Sequence, residues 1–155
     1  MDQAARHFRA FLDAVGLVGD PELEGTAERV TALLASFAPT PLPAPTVCGA
    51  TSESPIVVRG IAFHSLCAHH LLPFFGTVAV AYRPRDTLIG LGSIPGLVAH
   101  VARRTQLQER LAEQIGDALV RWIDRVSVAV GIRARHLCVE MRGAKTPVDV
   151  LVVAT

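Results

Sequence analysis

The sequence lacks the features that mark secreted, membrane and nucleic-acid-binding proteins. It has three cysteines in 155 residues, an odd number that fits no disulfide framework. Half of its residues are hydrophobic, yet charges, glycine or proline interrupt every apolar run before the roughly 20 residues that a membrane span needs. The N-terminus has no apolar segment typical of a secretory signal. We therefore expect a soluble, cytoplasmic protein.

The charge balance also excludes a common class of partner. The net charge is +1, without the excess of Lys and Arg that nucleic-acid-binding proteins use to neutralise phosphates. We expect no nucleic acid and no membrane as partner, and a small molecule remains the favoured ligand.

The chain is long enough for one ordinary domain and a small addition to it. We predict an N-terminal helical arm with a Pro-rich connector over residues 1–45, and the main domain over residues 46–155. Apolar residues at helical spacing predict one helix over residues 3–18 and a second that begins at Thr26 and ends before Pro39. The prolines of residues 39–45 predict an extended connector.

The main domain alternates between the two periodicities of secondary structure. Strands are predicted over residues 56–63 and 76–82, joined by a loop that contains residues 67–73. Residues 96–124 have a helical pattern with a break near Thr105, and strands are predicted over 126–132, 136–141 and 148–153. This order predicts an α+β fold, with helices on one face of an antiparallel sheet.

Cysteine and histidine cluster in two short segments that are distant in the chain. Cys67, His69 and His70 lie in the predicted loop, and His136 and Cys138 share one face of the last-but-one predicted strand. Sulfur and nitrogen ligands in tetrahedral geometry are what Zn²⁺ prefers. Cys and His residues taken singly are more often ordinary core or surface residues, but the cluster favours a metal site.

This pattern leaves open whether the metal site is catalytic or structural. A catalytic zinc keeps three protein ligands and one open position, whereas a structural zinc takes four protein ligands. His69 or His136 is the candidate fourth ligand in the structural case. The other cysteine and histidines (Cys48, His7, His64 and His100) have no ligand-like neighbours and are assigned no chemistry.

Four motifs resemble those of the GTP cyclohydrolase I family. They are Ser65-Leu66-Cys67-Ala68-His69-His70, Ile89-Gly90-Leu91, Gln106-Leu107-Gln108-Glu109-Arg110-Leu111 and His136-Leu137-Cys138-Val139-Glu140-Met141-Arg142-Gly143. The resemblance covers about residues 20 to 145. It implies the T-fold, in which an antiparallel sheet carries two helices and several subunits close a barrel. The protein is then expected to be a homo-oligomer with active sites at subunit interfaces.

The resemblance also implies an activity and a role for each matched residue. The activity is zinc-dependent opening of the imidazole ring of GTP, which releases formate and leads to 7,8-dihydroneopterin triphosphate. The implied roles are zinc binding by Cys67, His70 and Cys138; proton transfer by His69 and His136; guanine binding by Gln108 and Glu109; and phosphate binding by Arg142. Two further substrate-binding residues are implied: Arg29, which reaches a neighbouring site, and Ser93.

Departures from the family pattern add two alternatives. The family has Ser, Lys and Arg where this chain has Gly92, Ser93 and Gly96, a Glu in place of Ala68, and a C-terminal helix beyond the position of Thr155. Two cations that hold a triphosphate are thus replaced. The first alternative is a related hydrolase whose heterocyclic substrate carries no triphosphate. The second is a non-catalytic subunit that binds a purine or pterin and has a structural zinc.

Overall fold

The computed structural model describes residues 2–123 and 127–155, and the chain divides into two compact units, Met1–Ala38 and Pro39–Thr155. The first unit contains α1 (Asp2–Ala14), a 3-10 turn (Pro21–Leu23) and α2 (Thr26–Ala35). Both helices of the arm are as predicted, except that α1 ends before Gly16, whose φ of 83° is a left-handed conformation. The predicted domain boundary after residue 45 stays a prediction.

The second unit is built on a five-stranded sheet. The described residues of this unit form the strands β1 (Val47–Gly49), β2 (Ile56–Cys67), β3 (Pro73–Arg83), β4 (Thr87–Ile89), β5 (Thr105–Gln106), β6 (Ser127–His136) and β7 (Asp149–Ala154). The main sheet has the order β5-β2-β3-β6-β7, and β1 pairs with β4 in a separate two-stranded sheet. All pairs are antiparallel except β2 with β5, a short parallel edge that the sequence did not predict.

Two helices, α3 (Ser93–Ala102) and α4 (Gln108–Trp122), supply the other half of the core. Inward-facing strand residues such as Phe74, Val78 and Ile132 are buried in one cluster with Leu97 and Leu111 of these helices. The predicted α+β fold class is therefore confirmed, and β5 separates α3 from α4 at the predicted break near Thr105. Predicted element ends at residues 124 and 126 lie outside the described residues. Among the described residues, no helix has both the length and the hydropathy needed to cross a bilayer.

The prediction of a strand over residues 136–141 is wrong. Strand β6 instead runs unbroken to His136, and residues Leu137–Glu140 form one helical turn, α5. The pairing of β6 with β3 ends at Phe74 opposite His136, and the preceding residue of β3, Pro73, has no N–H to continue the ladder. His136 and Cys138 are therefore not placed by strand alternation.

Candidate metal centre and active site

Three chain segments meet at the end of the main sheet where β2 passes into β3. Strand β2 ends at Cys67, and the turn of residues 68–72 leads into β3. Strand β6 ends at His136, opposite Phe74, and α4 begins at Gln108. The motifs that are far apart in the sequence are thus brought to one place by the register of the sheet.

The β2–β3 turn holds Cys67 and His70 on the same side. The carbonyl oxygen of Cys67 accepts hydrogen bonds from the backbone N–H of His70 (3.3 Å) and of Leu71 (2.8 Å). Leu71 has a left-handed φ of 54°, which lets the chain reverse. As a result, Nδ1 of His70 lies 3.8 Å from Sγ of Cys67.

Cys138 completes a group of three ligand atoms. The ligand atoms of Cys67, His70 and Cys138 all lie within 4.8 Å of one another, so these residues could hold a metal ion. In tetrahedral geometry, two sulfurs bound at the usual Zn–S length of about 2.3 Å lie about 3.8 Å apart, which is within this range. Burial raises the pKa of the Cys138 thiol, and the neighbouring Cys67 raises it further. Two thiols in contact are a donor set that a divalent cation would stabilise in the thiolate form.

His136, two residues before Cys138, is held by a stacking contact on its ring and by a contact to one ring nitrogen. Its ring lies parallel to that of Phe74, with an interplanar angle of 4° and centroids 4.9 Å apart. Its Nε2 is 2.7 Å from Oε1 of Gln108. Burial lowers the pKa of His136, and the charges of Glu109 and Glu140 oppose that shift. The ring is thus half-buried and favours its neutral form.

The other predicted site residues of the second unit fall into two groups. His69 is exposed in the β2–β3 turn, with its ring centroid 6.1 Å from that of His70. The guanidinium of Arg142 contacts Nε2 of His70, and the carboxylate of Glu109 acts on His136. Ser93, in contrast, accepts a hydrogen bond from the N–H of Thr46 at 2.9 Å, which links α3 to the residue directly before β1.

Gln108 and Arg29 are placed differently from what the sequence suggested. The side chain of Gln108 is 2% exposed, and its amide donates to the carbonyls of Ile132 and Val150 within the fold. Arg29 belongs to the first unit, where it donates to the hydroxyl of Thr26 at 2.9 Å. The roles of both in substrate binding stay predictions.

Sequence reasoning missed the residues that support the site. Phe74, which stacks on His136, lies outside the strand predicted over residues 76–82 and had no signal of its own. Arg135 donates two hydrogen bonds to the carboxylate of Glu140, at 3.0 and 2.6 Å, across the α5 turn. These bonds lower the pKa of Glu140. The strand predicted over residues 136–141 gave no indication of this ion pair, because residues five positions apart in one strand do not contact each other.

Comparison with known proteins gives consistent results. The sequence model described as GTP cyclohydrolase I matches residues 4–155. A protein named GTP cyclohydrolase 1 from Campylobacter jejuni (serotype O:23/36, strain 81-176) is 56% identical over 90 residues, which are 58% of this chain and 47% of that protein. Proteins of the same name from Janthinobacterium (strain Marseille) and Lactiplantibacillus plantarum are 50% and 47% identical, covering 59% of this chain and 46% and 49% of theirs. The chain spans about half the length of the curated relatives it matches.

Among solved structures, an archaeosine synthase QueF-Like in the apo form superposes with a TM-score of 0.46 at 19% identity, covering 67% of this chain and 96% of that one. The family match, by contrast, extends over nearly every residue. From its match over residues 4–155, this chain belongs to the GTP cyclohydrolase I family.

Proposed function

We propose that this protein is a zinc-dependent GTP cyclohydrolase, which opens the imidazole ring of GTP and releases formate. The observation that carries the proposal is the convergence of the ligand atoms of Cys67, His70 and Cys138 within 4.8 Å. Membership of the family and the presence of His136 beside this group support it.

We propose Cys67, His70 and Cys138 as the zinc ligands. Their two sulfurs and one nitrogen match the ligand types that zinc prefers, and three protein ligands leave one tetrahedral position for water or substrate. A zinc ion held there would supply Lewis acidity that activates water for attack at C8 of the purine. All three cysteines of the chain are free thiols, which fits the reducing conditions of the cytoplasm.

His136 and His69 are proposed to move the protons of the reaction. Burial favours the neutral form of His136, so its ring is able to accept a proton near neutral pH and return it to the ring nitrogen as the C–N bond opens. His69 is exposed in the turn beside His70, where it is free to reach a substrate.

Glu109 and Arg142 are proposed to contact the substrate at its two ends. Glu109 is exposed at the start of α4, and its carboxylate is able to accept hydrogen bonds from N1–H and the amino group of guanine. Arg142 is exposed beside His70, and a guanidinium suits phosphate oxygens. Arg29 and Ser93 are further candidates for phosphate contacts.

Assembly into a homo-oligomer is part of the proposal. The sheet face opposite α3 and α4 exposes Val57, Leu151 and Val153, each more than 60% accessible. A cavity of about 350 Å³ on this face is lined by residues that include Phe75, Arg133 and Arg135. A second subunit would bury this surface, as the closure of a barrel requires.

Turnover of GTP by the purified, zinc-loaded chain tests the proposal. We expect formate release together with the ultraviolet spectrum of a pterin. His69→Ala should lower the rate by about 10²–10⁴, the usual loss for a proton-transfer group. The control His7→Ala, which removes an exposed histidine of α1, should retain the rate.

A second candidate function is favoured by residues 92–96, where the family pattern has cations that hold a triphosphate. Gly92 and Gly96 carry no cation, and the Ser93 hydroxyl is hydrogen-bonded to Thr46. A substrate without a triphosphate would suit this segment, since a polyphosphate needs several cationic partners. Faster formate release from guanosine than from GTP would establish this alternative. Tight purine binding with no turnover of any heterocycle would instead establish a non-catalytic binding subunit.

A further inference from the structure

The amide of Gln108 has only one orientation that satisfies its neighbours. Its nitrogen Nε2 lies 2.8 Å from the carbonyl oxygen of Ile132 on β6 and 2.9 Å from that of Val150 on β7. Backbone carbonyls only accept hydrogen bonds, so the atom that faces both must be the NH₂ group. Because the side chain is 2% exposed, little solvent competes for these bonds, and the reversed amide would place its oxygen against two carbonyl oxygens, none of which is able to donate.

This orientation determines which nitrogen of His136 carries hydrogen. With the NH₂ group directed at the strands, Oε1 of Gln108 faces Nε2 of His136 at 2.7 Å. An amide oxygen only accepts, so Nε2 must be the donor, and in a neutral imidazole Nδ1 then has the lone pair. Stacking on Phe74 at 4.9 Å restrains the plane of the ring. Among the described residues, none hydrogen-bonds to Nδ1.

We propose that Gln108 is a positioning residue that holds His136 in its Nε2–H tautomer and so makes Nδ1 the atom that takes and returns the proton. The proton-transfer part rests on the proposed function, whereas the tautomer does not. When Nδ1 takes a proton, the bond from Nε2–H to Gln108 remains in place, so the transfer requires no rearrangement of the support. This role differs from the guanine contact that the resemblance implies for this side chain.

A second buried glutamine provides a matched control. Gln106 is 1% exposed and also makes three hydrogen bonds: Nε2 donates to the Val101 carbonyl and to Gln114, and Oε1 accepts from Arg110. None of these partners is His136. Gln106→Met therefore removes a comparable set of buried hydrogen bonds without touching the histidine.

Nitrogen NMR of the zinc-loaded, ¹⁵N-histidine-labelled chain tests the tautomer directly. The His136 signals are assigned by their loss in His136→Gln. We expect Nε2 to carry hydrogen in the wild type, Gln108→Met to give a mixture of tautomers, and Gln106→Met to retain the wild-type signals. An Nδ1–H tautomer in the wild type, a measurement that needs no variant to fold, would overturn the proposal, as would an unchanged tautomer in Gln108→Met.

Steady-state kinetics separate positioning from substrate contact. For Gln108→Met we expect kcat to fall about 10–100-fold with KM within about threefold of wild type, because the proton-transfer atom is lost and the binding contacts are not. A raised KM with unchanged kcat would overturn positioning in favour of a guanine contact. If the wild type has the Nε2–H tautomer but turns over no substrate, the proposed function and the proton transfer by His136 are overturned. The proposal that Gln108 sets the tautomer of His136 would then still be supported.

Discussion

Single hydrogen bonds determine which ring nitrogen carries hydrogen in two histidines of this protein. His136 donates from Nε2 to Gln108, whereas Nε2 of His100 lies 3.4 Å from the guanidinium of Arg104, which only donates, so that nitrogen has the lone pair. Burial lowers the pKa of His100, the charge of Arg104 lowers it further, and a hydrogen bond with the backbone of Thr40 acts in the opposite direction. His100 is therefore held neutral, with consequences for stability.

The stability of the protein should decrease in acid partly because of His100. Its folded pKa lies below the unfolded value of about 6.5, so the unfolded chain binds more protons as the pH falls through this range. The stabilisation is complete above about pH 7 and is lost as the pH falls through the folded pKa. Urea unfolding between pH 7.5 and pH 5 should show a smaller decrease in stability for His100→Gln than for the wild type.

Arg104→Gln provides the internal check of this prediction. It removes the second cause of the shift but leaves the ring and its burial, which is the larger cause. The decrease in the stability of Arg104→Gln between pH 7.5 and pH 5 should therefore lie between those of the wild type and His100→Gln. Identical pH dependence in the wild type and His100→Gln would contradict the role of this residue.

The sequence was sufficient to choose the metal-binding candidates but not their supports. The scarcity of thiols and imidazoles pointed to the cluster of Cys67, His69, His70, His136 and Cys138, and the family resemblance then implied Cys67, His70 and Cys138 as the ligands. Gln108 was assigned to the substrate by resemblance alone, since a glutamine on a helix has no signal of its own. That its amide would be buried against β6 and β7 depends on how α4 packs, which periodicity does not describe.

Among the elements, the strands were easier to predict than the turns that carry the chemistry. Alternating Leu137, Val139 and Met141 are typical of a strand, yet this segment is a helical turn because the partner strand ends at Pro73. The short strands β1, β4 and β5 were also missed, since two or three residues give no periodicity. Strand β7 (Asp149–Ala154), with six residues and clear alternation, lies within one residue of the predicted range 148–153.

Because β3 and β6 approach each other closely, replacing Gly76 or Gly131 by alanine should affect stability very differently. A Cβ at Gly76 would lie 1.9 Å from the carbonyl oxygen of Arg133, which is backbone and unable to rotate away. A Cβ at Gly131 would meet nothing within 4 Å. Gly76→Ala should lower the free energy of unfolding by about 1–3 kcal/mol or more, whereas Gly131→Ala should stay within about 0.5 kcal/mol of wild type.

Chemical denaturation of both glycine variants measures this difference. Each residue lies in the same pair of strands, opposite an alanine of the partner strand, so strand propensity affects both alike. Equal stabilities of the two variants would show that the strands are not in the described register. The site would then lose the pairing of Phe74 with His136 that places its histidine.

For the whole molecule, the candidate metal site brings together Cys67 and Cys138, which are 71 residues apart in the sequence. The α+β fold class followed from the order of helical and strand periodicities, because each element buries one face against the other layer. The proposed assembly did not follow from periodicity, because the exposed apolar residues Val57, Leu151 and Val153 follow the same alternation as those of any strand. The proposed activity depends on whether the three ligand atoms bind one ion.

X-ray absorption at the zinc edge, combined with metal analysis, tests most directly whether these three residues bind one zinc ion. Cys48→Ser is the control, since Cys48 is exposed on β1, and Cys138→Ser removes one proposed ligand. We expect one zinc per chain in the wild type and in Cys48→Ser, with two sulfurs at about 2.3 Å and nitrogen or oxygen at about 2.0–2.1 Å. Cys138→Ser should lose one sulfur from the shell or fail to retain zinc. A wild-type chain without zinc, or a zinc shell with fewer than two sulfurs, would contradict the proposed site.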